Sequence, residues 1–221
     1  TLDEFHRKTL AAEWEFLRHR IQEQQPPSPD RVQETLANTL TLAEGRQHRF
    51  GPRIDFDAPG LDADELYSFQ YLGWISPVFR HFVRTEDPVA RRWLVVTITR
   101  YYAARERLRE GAGRDPRFCM LAMSGFQEEI FMLYAALLFT GAIPATASEA
   151  LLKTMLSTGR ALHAVTRRFI VHNIHTAGVF GLFFLARRMP VFVESGAWER
   201  HALRHLVRHT TGSYFADGCH M

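Results

Sequence analysis

Proline and glycine breakers fall at short intervals along a chain whose periodicity is otherwise helical, and this spacing restricts the fold most. Apolar residues recur three and four positions apart through segment after segment, and strand-like alternation is scarce. The first such segment, Asp3 to Gln24, carries Phe5, Leu10, Trp14, Phe16 and Leu17 and stops at Pro26-Pro27-Ser28-Pro29. A second helix is expected over 30–44, with Asp30 as its N-cap. An irregular stretch, Gly45 to Asp64, follows; it is long for a plain connection, and such loops often carry function. Further helices are expected over about 63–84, 87–108, 123–140, 147–171, 174–188 and 194–211, split by Asp87-Pro88, Gly111 to Pro116, Gly141 to Pro144 and Met189-Pro190. The rhythm of helix, short turn, helix fits an all-α fold: either an α/α toroid of antiparallel hairpins sharing one core, or an irregular bundle. Residues 1–29 read as an N-terminal helix with a Pro-rich linker, and 30–221 as the main helical domain.

The apolar runs Phe131 to Ile143 and Thr176 to Ala186 fall short of the roughly 20 residues that span a bilayer, so no membrane span is expected. The opening Thr1-Leu2-Asp3-Glu4-Phe5 has neither the charged nor the apolar region of a secretory leader. Net charge is +3, and lysine occurs only at Lys8 and Lys153, so the positive charge is almost all arginine. Arginine suits bidentate contact with carboxylate, sulfate or phosphate. That fits either a solvated basic surface or a groove for an acidic polymer. No nucleic-acid motif accompanies the charge, and no nucleic-acid partner is expected. Cys119 and Cys219 form no metal or redox spacing and read as free thiols, with a bridge between them as the alternative.

Three motifs sharpen the reading. They are Phe50-Gly51-Pro52-Arg53-Ile54-Asp55-Phe56, the His172-Asn173-Ile174-His175 element with its apolar helix through Gly181-Leu182 to Pro190, and Asp217-Gly218-Cys219-His220-Met221. In order and spacing, the stretch from Ala37 to Met221 resembles the helical domain of the heparinase II/III-like polysaccharide lyases. The sequence departs from that family's pattern in two places. Ile174 stands where a His usually follows the Asn, and the helix with Glu128-Glu129 lacks an Arg often found there. The sequence given ends before the family's Tyr-bearing segment and β-sandwich, so this chain alone is expected to be inactive as a lyase.

The resemblance implies β-elimination on uronic-acid polysaccharides, no cofactor, an acidic polysaccharide or oligosaccharide as partner, and a periplasmic or secreted location. In such a reaction a neutral amide or a cation must neutralise the substrate carboxylate before the adjacent proton becomes acidic, and a base then removes that proton. Asn173 is the candidate neutraliser, with helix capping as its alternative role. His175 is the second catalytic candidate. His172, Gln70, Tyr71, Trp74 and His220 are candidate substrate contacts, the aromatics by stacking on sugar faces or else by packing in the core. Tyr214 could substitute for the missing Tyr. His201, His205 and His209 recur at four-residue spacing beside an apolar stripe; they read as the basic flank of an amphipathic helix, and no metal site is expected. Competing readings are a non-catalytic scaffold or carbohydrate-binding domain, and a toroid epimerase or glycosidase. A glycosidase would need paired carboxylates, for which only Glu128-Glu129 and Asp55/Asp57 offer themselves.

Overall fold

The computed structural model describes residues 2–58, 60–107, 120–141, 143–170 and 172–212. Among these, the helices are α1 (Leu2–Glu23), α2 (Pro29–Leu36), α3 (Ala63–Gln70), α4 (Ser76–Thr85), α5 (Pro88–Arg107), α6 (Met120–Phe139), α7 (Ala145–Val165), α8 (Asn173–Arg188) and α9 (Ser195–Gly212). One antiparallel ribbon, β1 (Thr39–Thr41) with β2 (Gln47–Arg49), interrupts them, Leu40 lying opposite His48. The chain is an all-α fold of helical hairpins. No described helix is long and apolar enough to cross a membrane.

Two expected helices are divided, each for a local reason. The expected second helix ends at Leu36 because Asn38 adopts a left-handed conformation (φ 59°) and turns the chain into the ribbon. Its N-cap is Ser28, two residues before the Asp30 expected; the Ser28 hydroxyl accepts from the Arg31 N–H, with Pro29 at the first helical position. The expected 63–84 helix breaks at Leu72 (φ 60°) into α3 and α4. Trp74 Nε1 donates to Phe69 O at 2.9 Å across that break, and a reciprocal Asp62–Glu65 capping box starts α3.

Packing follows a toroid-like rule. Successive helices touch (α4 with α5, α6 with α7, α7 with α8, α8 with α9), and so do alternate ones (α5 with α7, α6 with α8, α7 with α9). That double neighbourhood arises when hairpins stack side by side in two layers. The most buried element is α6: Ile130, Phe131 and every residue from Leu133 to Leu138 are enclosed. A helix apolar on all sides can only sit inside. Although its glycine and aliphatic content suggests deep burial, α8 buries one face, through Gly178, Val179, Leu182 and Leu185, and leaves Phe180 60% exposed. α1 joins the same core through Leu10, Trp14 and Ile21, with Trp14 stacked on Phe139 and the Arg84 guanidinium bound to carbonyls at the C-terminus of α1.

One glycine governs the meeting of α7 and α9. A methyl group on Gly159 would fall on the indole of the fully buried Trp198 and 2.9 Å from Leu185 Cδ2. Gly159→Ala therefore overpacks the junction and should cost about 1–3 kcal/mol. That is a fall of roughly 2–10 °C in melting temperature for a domain of this size, readable by calorimetry.

Candidate functional site

The N-terminus of α8 displays the Asn-containing motif. His172 is the N-cap, in extended conformation, and its Nδ1 accepts from the Ile174 N–H at 3.1 Å. Asn173 Oδ1 accepts from the same N–H at 2.8 Å. The cap is thus shared, and Asn173 is the first residue inside the helix. Both side chains are exposed. The Asn173 Nδ2 donor has no hydrogen-bond partner among the described residues, so it is open to solvent at the positive end of the helix dipole. Because His172 Nδ1 is an acceptor, its neutral tautomer carries the proton on Nε2.

His175, one turn further along, points the other way. It is 2% exposed and lies among the histidines of α9. Its Nδ1 is 2.8 Å from His209 Nε2, and its Nε2 is 3.4 Å from the Thr166 carbonyl. Since the carbonyl can only accept, His175 carries its proton on Nε2, and Nδ1 accepts from His209 Nε2–H. The other nitrogen of His209 lies 3.2 Å from Thr176 Oγ1. Thr166 also donates to Leu162 O, so its hydroxyl oxygen accepts from His201 Nε2–H at 3.0 Å. His205 stacks against His201 (4.4 Å between ring centroids), and His163 meets His201 edge-on at 4.8 Å. Phe169 closes the cluster, with the Arg208 guanidinium 4.0 Å above its ring. Burial lowers the basicity of His163, His175, His201 and His205; His201 falls to about 4, with the charges of its histidine neighbours adding to the effect. The α9 histidines read in sequence as a surface flank are, at His205 and His209, buried. His163, Thr166 and Phe169 were not legible as their partners, because no spacing within one helix reports what the preceding hairpin brings opposite.

The aromatic candidates lie elsewhere. Tyr71 and Trp74 line a cavity of about 330 Å³ with Arg31 and Arg80. A side chain at Gly125 of α6 would occupy the space of the Tyr71 ring, so that glycine lets Tyr71 lie flat on α6. Trp74 is largely core, stacked on Phe69. Gln70 is 1% exposed, and its amide has no hydrogen-bond partner among the described residues. A second cavity of about 340 Å³ lies beside the Phe50–Phe56 motif and places Arg53, Asp55 and Arg100 around it. No described contact joins these cavities to the Asn173 turn. His220, Tyr214, Asp217, Cys119 and Cys219 lie outside the described residues. Among the described residues no three His, Cys, Asp or Glu side chains are arranged to hold a metal ion.

The comparisons with known proteins concern fold. No family model matches the chain, and no curated protein matches it in sequence. Solved structures do match. Crystal structures of heparan sulfate lyase HepC from Pedobacter heparinus and of a mutant superpose at TM-scores of 0.74 and 0.66, with 14% and 15% identity, over 98% of this chain. A heparinase III with methylated lysines superposes at 0.70 with 14% identity over 96%. The chain spans 38% of the length of the two lyase structures and 39% of the heparinase III. The fold is therefore that of the helical part of these lyases.

The adjacent carboxylates of α6 do not form a facing pair, since neighbours on a helix point about 100° apart. Glu128 lines a surface cavity with Arg20 and Arg80, whereas Glu129 turns inward. Burial raises the Glu129 carboxyl to about 7, the charge of Glu128 adding to the rise. The folded value lies above the unfolded one. Glu129 therefore favours folding below about pH 4.5, and this contribution is lost as pH rises through 7. Glu129→Gln should stabilise the protein by about 1–3 kcal/mol at pH 8 and change it little at pH 4.5. Melting curves of both proteins at the two pH values check this.

Proposed function

We propose that this chain is the helical part of a polysaccharide lyase that binds an acidic, uronic-acid polysaccharide and, in the full-length protein, cleaves it by β-elimination. The observation that carries the reading is the Asn173 amide: exposed, unengaged at Nδ2, and fixed at the start of α8 on a fold shared with heparan sulfate lyases. A neutral N–H donor at a helix N-terminus suits a substrate carboxylate twice over, by hydrogen bond and by dipole. As the proton beside the carboxylate leaves, negative charge builds on the carboxylate oxygens, and the donor stabilises it most at the transition state.

In this reading His172 is a substrate contact, its Nε2–H available to a hydroxyl or carboxylate oxygen. His175 supports the turn from beneath through His209, and the groups that move protons come from outside the described residues. Arg31 and Arg80 with Tyr71, and separately Arg53 with Arg100, provide cationic walls for flanking acidic sugars. A periplasmic or secreted location accords with that substrate. The competing reading, a scaffold or carbohydrate-binding domain without chemistry, uses the same cationic walls but gives Asn173 only its share of the cap.

Asn173→Ala in the full-length protein separates the two. Loss of a transition-state donor should lower kcat about 10²–10³-fold with KM little changed. The cap is shared with His172, so the melting temperature should fall by no more than the few degrees that correspond to about 1 kcal/mol. Normal kcat with a lowered melting temperature would leave Asn173 as a capping residue only.

A further inference from the structure

Between residues 145 and 212 the chain carries six histidines and only three carboxylates, Glu149, Glu194 and Glu199. Each of the three is committed elsewhere, to Lys153, Arg160 and Arg187 respectively. Five of the histidines, His163, His175, His201, His205 and His209, form one continuous cluster where α7, α8 and α9 meet. Among the described residues, the charged groups that act on it are cationic. Arg167 follows α7, and Arg204 and Arg208 lie on α9; each disfavours charge on a neighbouring histidine or sits over the Phe169 ring. Besides Arg167, the atoms that the 166–170 segment and α8 are seen to bring to the cluster are neutral: the Thr166 carbonyl and hydroxyl, the Arg168 backbone and the Thr176 hydroxyl.

We propose that this junction is an acid-operated latch, in which neutral imidazoles hold α9 against the first turn of α8 and their protonation releases it. The hydrogen-bond directions explain why. His175 Nδ1 accepts from His209 Nε2–H, so a proton added at His175 Nδ1 would set N–H against N–H at 2.8 Å. Charge on His175 therefore breaks the pair. His205 Nδ1 is buried with no hydrogen-bond partner among the described residues, so a proton there gains no acceptor. Charge on His201 meets His163, His205 and Arg204, with no carboxylate opposite among the described residues.

The sign follows from the lowered basicity of His163, His175, His201 and His205 in the closed state. The opened state binds more protons below about pH 6.5, the ordinary histidine value. The latch is fully closed above that pH and weakens progressively toward pH 4, where His201 itself charges. The inference concerns the α7–α8–α9 junction alone and does not rest on the lyase reading.

Hydrogen exchange at pH 7.5 and pH 5.0, corrected for the intrinsic rate and read on peptides covering 172–188 and 195–212, tests it. The protein should lose protection in these peptides by about tenfold or more at pH 5.0, while peptides of α6 stay protected. In the double variant His201→Gln, His205→Phe the ring stacking on Phe169 is kept and two chargeable sites are gone, so at least half of that loss should disappear. Equal loss in wild type and variant, or none in wild type, would overturn the latch. Should the double variant fail to fold, His205→Phe alone is read in the same way: reduced acid opening supports the latch, and wild-type opening overturns it.

Discussion

The enclosure of α6 is the constraint on which the rest of the structure depends. Its stretch from Ile130 to Leu138 offers almost no polar face, so neighbours must cover it on every side, and α1, α4, α7 and α8 do so. Helices α6 to α9 stack as hairpins, each touching the next and the one after. That leaves the helix ends and the turns between hairpins as the places where polar chemistry can sit. Asn173 lies at such an end, and so do His172, Thr166 and the ribbon beside the cationic cavity.

The same geometry decides which histidines face solvent and which face the core. His172, Asn173 and Ile174 fall on the outer side of the first turn of α8, and His175, next in sequence, falls on the inner side. The neutral residue in place of the expected second histidine is thus an outward one, and His175 is drawn into contact with α9. The Asn173-Ile174-His175 sequence thus gives an exposed amide with a buried imidazole behind it. Thr166 ties the arrangement together: it ends α7 while its carbonyl and hydroxyl meet His175 of α8 and His201 of α9.

Periodicity and breakers made most of the helices legible, with ends within a few residues, because amphipathic repeats and Pro or Gly punctuation are local signals. The two divided helices were not legible. Asn38 and Leu72 take left-handed conformations stabilised by tertiary contacts, among them the Trp74–Phe69 hydrogen bond and Asn38 Nδ2 to Gly51 O at 3.1 Å. The exposed Asn173 could be singled out because its motif is contiguous. The histidine cluster could not, since it is assembled from residues up to 46 positions apart, His163 to His209. Likewise Arg53 and Arg100 share a cavity only after the irregular loop folds back on α5.

The activity proposed for the full-length protein is β-elimination on an acidic polysaccharide. The most direct measurement is product analysis after incubation of the full-length protein with a panel of uronic-acid polymers. β-Elimination leaves a double bond in the new non-reducing sugar, so ultraviolet absorbance should rise together with new reducing ends on at least one polymer. Reducing ends appearing without unsaturation would mean hydrolysis, and no cleavage of any uronic-acid polymer would leave a binding or scaffold domain; either result would contradict the account.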